Sequence, residues 1–351
     1  MSSGHHVIDL PKKIVIGYGS IRLLPKVFKE LGLGSRAYVV TGPNVGRLLA
    51  KVLEEVLGDS MEYEVGVVRS SNIDEVESLY ESVERFKPSV LVGLGGGKAI
   101  DAAKYMSWKT GIPFVSVPTA ASHDGIASPF ASIRGLGRVT SVKASPPAAI
   151  IADVNIISKA PIRLLRAGAG DLIGKLTAVL DWRLAHRLKG EYYGEYAASL
   201  SLLSAKHVLS AADLISTGRP EAVRIVLEGL TSASVAICIA GSTRPASGSE
   251  HLFSHALDLV ANYPALHGEQ VALGTIMMSY LHGRNWRRIR ATLKRMGLPT
   301  TARELGVKDV QVIEALTKAH TIRPERYTIL GETGLTWEAA ECLARKTGVI
   351  D

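Results

Sequence analysis

The chain is poor in cysteine, with only Cys238 and Cys342, about a hundred residues apart. Two distant thiols exclude a disulfide framework and a cysteine-rich zinc site, and they fit a reducing cytoplasm. Glutamine occurs twice, at Gln270 and Gln311, and asparagine five times. That scarcity of heat-labile amides is a compositional trait of proteins from hot environments. Aromatic residues make up only 6%. No stretch approaches the ~18 uninterrupted apolar residues of a membrane-spanning helix. The first residues, 1–11, lack the apolar run of a secretory signal, so a cytoplasmic protein without stable membrane insertion is expected.

What is present reads as an ordinary globular protein. The 351 residues suffice for two domains at roughly 150 residues each. A hydrophobic fraction of 46% against 21% charged residues excludes a disordered chain. Lysine and arginine number 41 and acidic residues 33, leaving a net charge of +8. Such a balance draws anions: nucleic acid, a membrane surface or a phosphorylated small molecule. Charge alone does not choose among them.

Residues 13–18, 37–41, 63–68, 90–94, 114–117 and 150–154 are short β-branched runs that read as strands. Helical patterns lie between several of them, one with Leu48, Leu49, Val52, Val56 and Leu57 on a single face and another with Val76, Leu79, Tyr80 and Val83. Alternation of this kind predicts a mostly parallel sheet covered on both faces. Residues 133–139 read as a small hairpin inserted in this half. Beyond Ser158 the strand signals fade, and helices are expected over 171–188, 195–214, 220–240 and 270–280. The predicted architecture is an α/β domain over 1–157 and an all-helical domain over 158–351, with Ser158-Lys159-Ala160-Pro161 as the hinge.

The run Val90 to Asp101 contains Gly93, Gly95, Gly96, Gly97 and Lys98 and reads as strand, glycine turn and helix start. Adjacent glycines let backbone N–H groups approach a phosphate closely, and the helix N-terminus adds partial positive charge. The spacing fits neither G-x-G-x-x-G, which needs glycine at Lys98, nor the P-loop, which needs glycine at Val92 and serine or threonine at Ala99. A second loop, Pro118 to Pro129, is small and hydroxyl-rich and follows a strand end, where open α/β sheets bind ligands.

The helical half offers three further segments. Asp171, in Gly170-Asp171-Leu172, is read at a helix start, where by itself it would simply cap. His251 and His255 stand at i and i+4 on one helical face. His267 lies in Ala265 to Gln270, a loop leading into an apolar helix. Any one of these histidines alone is more often structural than a ligand. One aspartate and two histidines together suit a divalent metal with an open coordination position.

Taken together these motifs resemble the superfamily of iron-containing alcohol dehydrogenase, glycerol dehydrogenase and dehydroquinate synthase, over nearly the whole chain. Within it, Gly95-Gly96-Gly97-Lys98-Ala99-Ile100-Asp101, Ser122-His123-Asp124-Gly125-Ile126-Ala127-Ser128-Pro129 and Gly170-Asp171-Leu172 look most like the archaeal sn-glycerol-1-phosphate dehydrogenases. The resemblance implies a Rossmann-like nucleotide domain, a helical metal domain and an active site in the cleft between them. It implies reduction of dihydroxyacetone phosphate to sn-glycerol 1-phosphate, the backbone of archaeal ether phospholipids, by NAD(H) or NADP(H). It implies Zn2+ held by Asp171, His251 and His267, with Asp124, Asp171 and His255 as catalytic and substrate-contacting residues. Gly95, Gly96, Gly97, Lys98, Asp101, Thr119, Ala120, Ser122 and Ser128 would bind the cofactor. Glycerol dehydrogenases carry an aspartate after the second strand that binds the adenosine ribose. Here Val40-Thr41-Gly42-Pro43-Asn44 offers no carboxylate to repel a 2′-phosphate, so both cofactors are expected. The chain departs from the family's usual serine in having Gly174.

Two relatives in the same superfamily compete with this reading. A glycerol dehydrogenase acting on unphosphorylated glycerol is disfavoured by the 122–129 segment. A dehydroquinate synthase-like lyase is disfavoured by Asp171 and by few basic residues near the motifs. A nucleic-acid-binding protein rests on the basic run at 284–295, but Trp286, Ile289, Leu293 and Met296 share one face opposite the arginines, as a packed helix with a solvated side requires. A homo-oligomer acting on a small molecule, without nucleic acid, is therefore expected.

Overall fold

The computed structural model describes residues 5–135 and 140–351. The chain forms two compact units, one of residues 5–121 and 125–160, the other of residues 122–124 and 161–351.

In the first unit, strands β1 (Lys13–Gly17), β2 (Arg36–Thr41), β3 (Glu62–Val67), β4 (Val90–Gly95), β5 (Phe114–Pro118) and β8 (Ala149–Asp153) form one parallel sheet in the order β1-β8-β5-β4-β2-β3. All six were predicted within a residue or so. The central strands β4, β5 and β8 are buried throughout, which is why their sequences are mostly apolar rather than alternating, with Ser116 and Asp153 the polar exceptions. A core of Leu24, Val39, Leu57, Val92, Val115 and Ile151, among others, lies against this sheet. Leu48 departs from expectation, being 78% exposed, since the buried stripe of the Pro43–Leu53 helix runs instead through Val45, Leu49, Val52 and Leu53. The expected hairpin corresponds to β6 (Phe130–Ile133) and β7 (Thr140–Lys143), paired antiparallel. Of the span 133–139 predicted as the hairpin, residues 136–139 lie outside the described residues.

From β2 the chain builds outward to β3, and from β4 it builds the other way to β5. The direction of winding therefore reverses between β2 and β4, the position at which such sheets bind ligands beyond the strand ends. A Cβ at Gly95 would come within 4.0 Å of the Gly42 nitrogen, so the loops after β4 and β2 are neighbours at this point.

The second unit is helical. Asp171 is not at a helix start, as the sequence led us to expect, but ten residues into one continuous helix, Ile162–Lys189. The small residues Ala167, Gly168, Ala169 and Gly170 read locally as breakers. In three dimensions Ala167 and Gly170 are the contact surface of a close helix crossing. A Cβ at Gly170 would lie 2.3 Å from Gly268 O, and one at Gly268 only 1.8 Å from Ala167 O. The packing gained outweighs the roughly 1 kcal/mol that a helical glycine costs relative to alanine. Gly174 has the same origin, since a Cβ there would strike Val271 Cγ1 at 2.6 Å. The helix expected from Gln270 begins at His267, and the helix expected over 195–214 breaks at Ala211.

Among the described residues one helix, Pro220–Ala240, is long and apolar enough to cross a membrane, and 67% of its most apolar window is buried within the protein. Ile289, Leu293 and Met296 are buried while Arg287 and Arg288 are exposed, as a packed helix with a solvated side requires.

Candidate active site

The first unit presents the glycine turn at the end of β4. Gly95 has φ +155°, a backbone state open to glycine but rarely to other residues. Gly93 lets the following helix approach, since a Cβ there would lie 3.0 Å from Ile100 Cα. Gly96 is different. It caps the Gly97–Thr110 helix at ordinary φ, and a Cβ on it would meet nothing within 4 Å. Its missing side chain therefore leaves open space in front of a helix N-terminus whose first N–H groups have no intrahelical acceptor. Thr119 N donates to Gly95 O at 2.9 Å, placing the second predicted loop directly beside the first. Lys98 lies at the same helix start, its Nζ 3.3 Å from Arg69 O. Ala120 and Ser128 are buried, and the Ser128 hydroxyl accepts from Phe130 N. Asp101 is engaged within the unit. Its carboxylate accepts from Lys104, which is fully buried and also donates to Gly125 O and Phe130 O. Asp101 thus helps to clamp the loop over 125–130.

Three helices of the second unit bring Asp171, His251 and His267 together, with one ligand atom from each within 4.8 Å of the others. His251 Nε2 is 3.3 Å from Asp171 Oδ1. Each histidine is oriented from behind. His251 Nδ1 donates to Glu250 Oε1 at 2.7 Å, and Glu250 in turn accepts from Gly248 N and Thr177 Oγ. Gln270 gives its amide nitrogen to Asp258 and Ala265 O, which turns Oε1 toward Ser254. Ser254 spends its one proton on that oxygen and so accepts from His267 Nδ1 at 3.2 Å. With Nδ1 so engaged, each imidazole is left with Nε2 as the atom available to a cation or a proton. The start of the His267 helix is fixed by Glu269, which accepts from Leu266 N and from Nε and Nη2 of the Arg163 guanidinium.

One carboxylate oxygen and two oriented imidazoles fit a divalent cation of borderline softness, such as zinc or ferrous iron. The fit has an electrostatic side. A lone pair 3.3 Å from a carboxylate oxygen is repulsive unless a proton or a cation lies between them. Burial opposes charge on Asp171, yet Lys175 and the two histidines outweigh it and hold the carboxyl well below its usual range. Burial and the neighbouring His251 charge push His267 well below its usual value, so it is neutral, as a metal ligand must be.

Two residues complete the site. Lys175, one turn beyond Asp171, is fully buried and donates to Asp171 Oδ1 and Asp124 Oδ2 at 2.7 Å each, and to Ala246 O. No sequence motif singled it out. Its signal was a lone lysine at i+4 from Asp171 on a helix otherwise apolar there. Asp124 belongs to this unit through three bonds: its N–H to Asp171 Oδ2, its carboxylate to Lys175 and its carbonyl to Ser234 Oγ. Ser122 is drawn in with it. His255 stacks on His267 with ring centroids 5.5 Å apart. Its Nδ1 is buried without a hydrogen-bond partner, the nearest carboxylate oxygen, of Asp258, being 4.0 Å away.

The sequence model of the iron-containing alcohol dehydrogenase family matches residues 15–161. The glycerol-1-phosphate dehydrogenase (NAD(P)+) of Hyperthermus butylicus is 60% identical, covering 98% of this chain and 99% of its own. Its namesake from Sulfurisphaera tokodaii is 53% identical over the whole of both chains. Among solved structures, a probable glycerol dehydrogenase from Sinorhizobium meliloti superposes with a TM-score of 0.80 at 22% identity, covering 97% of this chain and 98% of its own. Glycerol dehydrogenase from Schizosaccharomyces pombe gives 0.77 at 21%, covering 98% and 91%. At that identity the structures speak for the fold. The fold, the oriented ligand triad and the end-to-end identity converge: the chain belongs to the glycerol-1-phosphate dehydrogenases, within the iron-containing alcohol dehydrogenase family.

Proposed function

We propose that this protein is a cytoplasmic, zinc-dependent enzyme that reduces dihydroxyacetone phosphate to sn-glycerol 1-phosphate with NADH or NADPH, supplying the backbone of ether phospholipids. One observation carries the reading: a complete, oriented Asp-His-His triad in a chain matched end to end by proteins named for this activity.

In the first unit, the Gly95–Gly97 turn and the Gly97–Thr110 helix start receive the pyrophosphate, with Lys98 beside them and Thr119, Ala120 and Ser128 in the neighbouring loop, while the second unit supplies Ser122. The absence of a carboxylate at 40–44 leaves a 2′-phosphate unopposed. In the second unit, Asp171, His251 and His267 hold the cation, which when bound supplies Lewis-acid polarisation of the ketone oxygen. Glu250 and Ser254 keep the two imidazoles aimed. Lys175 keeps Asp171 ionised and fixes Asp124, whose carboxylate stays partly exposed for a substrate hydroxyl. His255 contacts the same substrate through its unpartnered face.

The test is a paired assay. Zinc-loaded enzyme is given dihydroxyacetone phosphate or unphosphorylated dihydroxyacetone, each with NADH and with NADPH, while metal content is measured. A preference for the phosphorylated ketone by more than about a hundredfold in kcat/KM supports the reading. Equal use of both ketones returns the protein to glycerol dehydrogenase chemistry.

A further inference from the structure

Two arginines of the second unit have no part in the site as built so far. Arg323 follows directly on the Asp309–Ile322 helix, and Arg326 stands three residues on. Arg326 is anchored by neutral groups alone, Nη1 to Ser247 O at 2.6 Å and Nη2 to Thr243 Oγ at 2.7 Å. The neighbouring Arg244 is already matched, pairing through two nitrogens with Glu191 and donating to Tyr327 O. Among the described residues neither Arg323 nor Arg326 makes an ion pair with a carboxylate. Burial, then Arg323 and Arg244, push Arg326 down to about 9. Burial likewise lowers Arg323, opposed only by Glu325, which is exposed. Two partly buried guanidiniums without a paired carboxylate form an arrangement that an anion would complete.

The cluster is joined to the metal-ligand site. Ser247 O, which receives Arg326, adjoins Ala246 O, which receives Lys175 Nζ. Both arginines also lie near enough to His255 for their charges to act on it. His255 in turn stacks on His267, and among the described residues its buried Nδ1 has no hydrogen-bond partner. A three-carbon ketone phosphate offers a carbonyl oxygen at one end and a phosphate dianion at the other. Its hydroxyl groups lie between, within reach of one imidazole.

We propose that Arg323 and Arg326 form the subsite for the substrate's phosphate monoester, and that they decide between phosphorylated and free triose. This rests on the function proposed above. Guanidinium forks match phosphate oxygens two at a time, which a lysine cannot do.

The test uses zinc-loaded wild type, Arg323→Gln and Arg323→Lys. Among the described residues the Arg323 side chain makes no ion pair with a carboxylate, so its variants should fold, which metal content and thermal midpoint check. The readout is the ratio of kcat/KM for dihydroxyacetone phosphate to that for dihydroxyacetone. It should fall about a hundredfold in Arg323→Gln and partly recover in Arg323→Lys. Inorganic phosphate should inhibit wild type in competition with dihydroxyacetone phosphate, and should inhibit Arg323→Gln at least tenfold more weakly. A wild type with no preference for the phosphorylated ketone would sink the functional reading and this subsite together. A wild type with that preference, retained by Arg323→Gln, would overturn the subsite alone. A loss confined to NADPH, with NADH kinetics intact, would assign the arginines to the cofactor's 2′-phosphate and also overturn it.

Discussion

Gly268→Ala tests the origin of the ligand geometry more sharply than any change to the ligands themselves. The added methyl would lie 1.8 Å from Ala167 O, and this carbonyl and the new Cβ are both fixed to backbone, so neither can rotate aside. Reaching even a 3.0 Å contact needs the two helices to separate by about 1.2 Å. Ala167 stands four residues before Asp171, so its carbonyl accepts the Asp171 N–H, while Gly268 adjoins His267. The separation therefore moves one ligand against another by a similar amount. Metal–ligand distances tolerate only about 0.2 Å. Overpacking of this kind costs about 1–3 kcal/mol in stability, but the larger consequence is for the cation. Zinc per chain, measured after equilibration and desalting, should fall well below one, and kcat/KM by at least about a hundredfold. Gly96→Ala, with open space around the new methyl, should keep its zinc. A Gly268→Ala protein that holds one zinc at wild-type affinity would refute the claim that this crossing sets the triad.

Gly96→Ala should leave the thermal midpoint unchanged but raise KM for NADH about tenfold, because its methyl fills the space assigned to pyrophosphate; an unchanged KM would remove that glycine from the cofactor site. Lys175→Met leaves Asp171 and Asp124 without their shared cation, so the metal-free protein should lose about 3 kcal/mol of stability in denaturant titrations, and added zinc should restore part of the loss. His251→Ala should bind less than one zinc per chain and lose activity that zinc in excess does not restore. Zinc affinity should also depend on pH. Burial opposes charge on His251, but Asp171 and Glu250 outweigh it and raise its affinity for a proton above the usual value. A proton must then leave for zinc to bind, so affinity should rise with pH up to a point above the ordinary histidine value near 6.5 and level off beyond it. A competition titration whose affinity is flat from pH 6 to 8 would contradict this.

The sequence by itself determined the parallel sheet, because short, largely apolar strands alternate with amphipathic helices that cover both faces. It also determined the glycine turn, where missing Cβ atoms are legible directly, and the three ligand types, which the resemblance put at Asp171, His251 and His267. It misplaced Asp171 at a helix start and left His267 in a loop. Both errors have one cause. Gly170 and Gly268 weaken a helix locally, and their compensation is contact with another helix about a hundred residues away in the chain. Lys175 and the Arg323–Arg326 pair were equally invisible, since a lysine or arginine looks solvated until the fold shows that it is buried and what faces it. Local pattern fixes which elements form. Only the packing of distant segments decides which polar groups are taken out of water together, and those groups make up the site.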